Sequence, residues 1–105
     1  DVFCYSAGFS IASLKNGRAR RAAAVDSSDA ALALALRNAE RNGVELEVIQ
    51  GDAGQVMQRL RKEGRSFGLV TCDPPKFAHK FSDIEAALKG YEHVNRLALS
   101  LVQPG

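Results

Sequence analysis

No stretch of this sequence holds the roughly 20 consecutive apolar residues that a membrane-spanning helix needs, and nothing in it has the basic start and small-residue cleavage site of a secretory signal. No membrane association is expected, and a cytoplasmic address follows by default. Cysteine is scarce. Cys4 and Cys72 stand far apart without nearby paired histidines, so neither a zinc site nor a disulfide framework is indicated and no metal is expected. A strong charge of one sign is also missing. The net charge of +2 is too small to declare a nucleic-acid partner, although Arg18, Arg20 and Arg21, then Arg59, Arg61, Lys62 and Arg65, form local basic clusters.

What is present is the composition of one globular domain, 46% apolar and 25% charged over 105 residues. Short apolar runs ending in an acidic residue alternate with longer stretches of helical spacing. The runs are Asp1-Val2-Phe3-Cys4, Ala22 to Asp26, Leu46 to Asp52 and Phe67 to Asp73. Ser27 or Ser28 can cap a helix with Asp29 in its first turn, Leu32, Ala35, Leu36 and Ala39 on its apolar face, and Gly43 as its stop. A later helix opens at Ser82, with Glu85 completing a capping box and a stripe of Ile84, Ala87, Leu88, Tyr91, Asn95, Ala98 and Leu101. Shorter helices are expected near Phe9 to Asn16 and Gly54 to Lys62. Strands alternating with helices predict an α/β fold, a Rossmann-like doubly wound parallel sheet of about four strands with flanking helices. The sequence begins inside a strand and stops at a Pro104-Gly105 turn, so residues 1–105 read as part of a longer, truncated domain.

In such a sheet, ligands sit beyond the carboxyl ends of the strands, at the point where strand order reverses. Those ends carry Asp1 to Gly8, Asp26, Asp52 and Asp73. The turn Cys4-Tyr5-Ser6-Ala7-Gly8-Phe9-Ser10 is built of small residues that let backbone amides approach a ligand, but it lacks the spacing of the dinucleotide fingerprint. Asp26 lies 18 positions beyond Gly8, near the roughly 20-residue offset at which an acidic residue meets ribose hydroxyls. It could also cap the following helix, and the two roles can coexist, with ribose binding put first because spacing and strand-end position agree. Asp52 could accept from an adenine amino group or likewise serve as a cap. The most specific signal is Asp73-Pro74-Pro75-Lys76-Phe77. Two prolines after a buried strand fix two φ angles and leave stiff, unclaimed carbonyls suited to gripping a planar base. Phe77 can stack there, and Lys76 can reach phosphate.

These segments, together with Val25-Asp26-Ser27-Ser28, Asn38-Ala39, Asn42-Gly43, Gly51-Asp52-Ala53, Gly90-Tyr91 and Asn95, resemble the bacterial large-subunit ribosomal RNA cytosine-5 methyltransferases, over essentially the whole chain. The resemblance implies an S-adenosylmethionine site: Asp1, Phe3, Tyr5, Ser6, Gly8 and Phe9 near the methionine end, Asp26 with Ser27 at the ribose, and Asp52 with Ala53 at the adenine. It places Asp73, Pro74, Pro75 and Lys76 beside the methyl group and target base. It also implies that the nucleophilic cysteine follows the next strand, beyond Gly105, and that ribosomal RNA is the substrate. In the commonest methyltransferase loop, glycines occupy the positions of Phe3, Tyr5 and Ala7. Their replacement here assigns the tight approach to Gly8 and asks for an ordinary φ at Ala7. Two other functions stay open: methylation of an exocyclic base nitrogen, and a nucleotide- or RNA-binding scaffold without catalysis. The final helix is expected to pack on the proline turn, with Asn95 bonding loop carbonyls and Gly90 permitting close contact.

Overall fold

The computed structural model describes residues 1–104; Gly105, and with it half of the expected Pro104-Gly105 turn, lies outside the described residues. The elements run α1 (Gly8–Lys15), β1 (Ala23–Asp26), α2 (Asp29–Arg41), β2 (Glu47–Gln50), α3 (Ala53–Lys62), a single 3-10 turn (Phe81–Asp83) and α4 (Ile84–Ser100). β1 and β2 pair in parallel, Ala23 opposite Glu47 through Asp26 opposite Gln50.

The architecture is α/β and parallel as expected, but two of the expected strands are reduced to single bridges. Val2 bridges Val25 on one side and Cys72 on the other, both in parallel, and Phe67 bridges Val102. The first run cannot extend its ladder because Phe3 already has φ 60°, a left-handed conformation incompatible with a strand. The order across the sheet is therefore β2, β1, the Val2 segment, then the Phe67–Cys72 segment. The chain moves outward from Val2 in one direction and later returns to its other side. The reversal of strand order thus falls between residues 2–4 and 71–73.

Side-chain alternation divides the core into two layers. Ala24, with Cys4 and Ala7, packs under α1 and α2 through Ile11, Leu32, Ala35 and Ala39. Val25 and Val2 face the other way, against Val56, Met57 and Leu60 of α3 and Val94, Leu97, Ala98 and Leu101 at the α4 end. Ala23 and Ala24 have little strand propensity, yet as small residues in a central strand they let helices approach closely; Ala24 is fully buried. α2 forms as expected: the Ser28 hydroxyl accepts from the Ala31 amide at 3.2 Å, and Gly43 ends the helix at φ 68°. Leu36, expected in its apolar face, is exposed.

α4 departs further. No side chain caps it, and Ser82 belongs to the preceding 3-10 turn, so the capping box does not form. Its buried face runs Ala87, Val94, Leu97 and Ala98, leaving Ile84, Leu88 and Asn95 exposed. The helix is rotated by about one position from the expected stripe. Burying Val94 needs no polar partner, whereas a buried Asn95 amide would need several.

Candidate functional site

The acidic residues of the rim do not share one environment. Asp1 is turned inward: its Oδ2 accepts from the Ser10 hydroxyl at 2.9 Å and the Ser10 amide at 3.3 Å, and its Oδ1 from Thr71 Oγ1 at 3.1 Å. It ties the first turn of α1 to the returning segment across the point of reversal. Asp26 ends β1. Its Oδ2 accepts from the Tyr5 amide and its Oδ1 from the Ser28 amide, each at 3.0 Å. These bonds use one lone pair on each oxygen, and each oxygen keeps another for a hydroxyl donor.

The turn through residues 3–7 corrects an expectation. Phe3, Tyr5 and Ala7 all have positive φ, at 60°, 49° and 62°, so the backbone keeps the left-handed conformation that glycine would favour although none of the three is glycine. Gly8 has no positive φ, and a Cβ there meets no protein atom within 4 Å. The structure holds this strained turn from several sides. The Cys4 amide donates to Val25 O at 3.0 Å, the Ala7 amide to Cys4 O at 2.7 Å, and Asn38 Nδ2 of α2 to Ser6 O at 3.2 Å. With the Tyr5 amide on Asp26, the amides of Cys4, Tyr5 and Ala7 all hold the turn itself.

Asp52 caps α3, accepting from the Gln55 amide at 3.0 Å. Before it, Gly51 has φ 155°, and an added Cβ would lie 2.9 Å from Val56 Cγ2. Glycine is thus required for the chain to swing from β2 into α3. A cleft of about 550 Å³ opens beside this junction, lined by Phe3, Asp52, Ala53, Phe77, Gly90 and His93 among others. It brings together three of the expected cofactor residues, Phe3, Asp52 and Ala53. Asp1 and Phe9 line a different groove, with Arg18, Phe67 and Leu101; Tyr5, Ser6, Gly8, Asp26 and Ser27 line neither. His93 was not found by sequence reasoning. Asp52 Oδ2 and His93 Nε2 lie 3.3 and 3.6 Å from the same Cβ position over Gly54. Its helical offset of three from Gly90 is the signal that could have placed it on the cleft.

Across the reversal lies the proline turn. Asp73, Pro75 and Lys76 are exposed and Pro74 half-buried, and all four lie outside the cleft lining. Phe77 lines the cleft and also packs on α4. Its ring lies 4.5 Å from that of Tyr91 at 25°, its amide donates to Tyr91 Oη at 3.0 Å, and it covers Gly90, where an added Cβ would sit 3.1 Å from Phe77 Cδ2. Gly90 therefore performs the close contact expected of it. Asn95 does not hold the loop; Tyr91, one turn earlier, does. Cys4 is buried and Cys72 half-buried, and burial pushes both thiols above their ordinary pKa, which makes them poor nucleophiles.

The reversal of strand order and the carboxylates at the strand ends agree with what known proteins show. Residues 1–96 match the family described as methyltransferase domain. The chain belongs to that family. Proteins named ribosomal RNA large subunit methyltransferase I are similar to it along its whole length: 36% identical for that of Klebsiella pneumoniae and 38% for that of Aeromonas salmonicida. This methyltransferase domain spans 27% of the length of those relatives. A solved structure named as a SAM-dependent methyltransferase, from Streptococcus mutans, superposes with a TM-score of 0.79 over 97% of the chain and 26% of its own length, at 24% identity. That likeness supports the truncated Rossmann-like fold. Among the described residues no helix is long and apolar enough to cross a membrane, and no cluster of potential metal ligands occurs.

Proposed function

We propose that this methyltransferase domain binds S-adenosylmethionine and, within its full protein, transfers the methyl group to carbon 5 of a cytosine in large-subunit ribosomal RNA. The observation that carries the reading is the pair of segments at the reversal point. On one side Asp26 holds the Tyr5 amide of the left-handed turn; on the other Asp73 opens the rigid Pro74-Pro75 turn. The residues present fit the cofactor. Asp26 has free lone pairs for a ribose diol beside Ser27, and Asp52 with Ala53 opens onto a cleft wide enough for a planar base. S-adenosylmethionine, when bound, supplies an electrophilic methyl group on a sulfonium.

The chain's own residues would hold the cofactor and position the pyrimidine. Asp1 fixes the turn to the returning segment, Phe3 through Phe9 frame the methionine end, and Asp73 to Lys76 present stiff carbonyls and a cation to the target base and its phosphate. Carbon 5 of cytosine is weakly nucleophilic and needs a thiolate added at carbon 6. The raised pKa values of Cys4 and Cys72 support a nucleophile elsewhere in the protein. Lys76, inserted between Pro75 and Phe77, weighs against the exocyclic-nitrogen alternative, whose turn places the aromatic residue directly after the prolines. Mass mapping of ribosomal RNA from cells lacking the full protein tests the reading. Loss of one 5-methylcytosine is expected, and an unchanged cytosine complement with a lost N-methyl group would transfer the assignment to the alternative.

A further inference from the structure

We infer that Phe81 is a stacking platform for an unpaired RNA base flanking the target nucleotide, with Lys80 and His79 beside it as backbone contacts. This rests on the RNA substrate proposed above and names a residue that the cofactor site does not use. The turn's own aromatic, Phe77, has one face on Tyr91 and packs over Gly90. Four residues further, Phe81 is 90% exposed, and it opens the 3-10 turn whose last residue, Asp83, lines the same cleft as Phe3, Asp52 and Phe77. The platform therefore sits on the rim of the candidate site.

Charge points to the kind of partner. From Lys76 to Phe81 the segment carries Lys76, His79 and Lys80, all exposed, and no acidic residue. An aromatic face set among cations on an extended segment is the arrangement that binds single-stranded nucleic acid, stacking a base while ammonium groups meet the phosphates. Lys80 itself is extended, with φ −149° and ψ 163°. A base flanking the target must be unstacked for the target to be presented, and a free aromatic face there offsets that loss.

The test uses the full protein, an unstructured single-stranded RNA oligomer and the same oligomer without bases. Phe81→Ala should lower affinity for the base-bearing oligomer roughly 5- to 150-fold, the range for one lost base stack. Binding of the abasic oligomer and of S-adenosylmethionine should not change. Phe81→Trp should restore binding, and Lys80→Ala should flatten the salt dependence by about 0.7 log units per log unit of salt, the loss of one phosphate contact on a single strand. Wild-type affinity in the Phe81→Ala protein would overturn the inference. So would normal RNA affinity combined with altered self-association, which would assign the face to a protein contact. If Phe81-dependent binding holds but no methyl group reaches cytosine carbon 5, the reaction proposed above falls and the platform stands; if transfer occurs while Phe81→Ala binds normally, only the platform falls.

Discussion

Asp26 accepts from Ser28 at the start of α2 and from Tyr5 in the turn, and the ribose contact proposed for it would use its remaining lone pairs. Asp26→Ala should weaken S-adenosylmethionine binding by about 1.5–3 kcal/mol, the range for hydrogen bonds to a charged group, read by titration calorimetry. Unchanged affinity would remove it from the site. The left-handed residues make a second expectation. A non-glycine residue there costs roughly 1–2 kcal/mol, while glycine's greater freedom in the unfolded chain costs about 0.5–1 kcal/mol. Tyr5→Gly should therefore raise stability by about 0.5–1 kcal/mol, since its exposed side chain gives up little packing. A fall in denaturation midpoint would mean that the ring contributes more than the strain it causes.

At the scale of elements, the hold of α4 on the proline turn depends on a hydroxyl. Tyr91→Phe keeps the ring stack on Phe77 but leaves the Phe77 amide without its acceptor. The expected loss is about 0.5–1.5 kcal/mol, with faster amide exchange at Phe77; unaltered exchange would show that the stack alone fixes the turn. Where β2 begins, Arg65 makes a two-pronged contact with Glu47, at 3.0 and 2.9 Å. This hydrogen bonding holds the Glu47 carboxyl below its ordinary pKa. A carboxyl with a lower pKa in the folded state binds fewer protons there than when unfolded, so stability rises with pH through that range. The pair's contribution is complete near neutrality and is lost as the pH falls through and below the ordinary glutamate range. Both side chains are partly exposed, at 49% and 37%, so the contribution is small and weakened by salt. Glu47→Gln should flatten the acid limb of the stability profile; an identical limb would assign that limb to other carboxylates.

For the whole molecule, the setting of the two thiols bears on the reaction proposed above. Cys4 belongs to the layer under α1 and α2, and Cys72 packs against the layer under α3 and α4. With pKa values raised by burial, both should alkylate slowly at neutral pH, with rates that climb as the solution is made alkaline. In the full protein Cys72→Ala should retain methyl transfer to ribosomal RNA. Transfer abolished by that substitution, with cofactor affinity intact, would place the nucleophile on Cys72.

The alternation of apolar runs and helical stretches was readable from order alone because period 2 and period 3.6 are local properties. So were the Ser28 cap, the Gly43 stop and the aspartates at the strand ends. The sequence by itself determined the α/β class, the parallel sheet and the rim on which the carboxylates stand. Only the tertiary structure decided how those carboxylates are used. Asp1 turns inward because Ser10 and Thr71, far apart in sequence, converge on it, and no local signal encodes that convergence. Likewise Ala7 predicts an ordinary φ from its own preference, yet Asp26, Val25 and Asn38 together hold the turn in which it sits left-handed. Local preferences of about 1–2 kcal/mol yield when several hydrogen bonds from distant segments fix the same backbone. The face of α4 was decided in the same way, because whether Val94 or Asn95 turns inward depends on α3 and the sheet against which the helix packs.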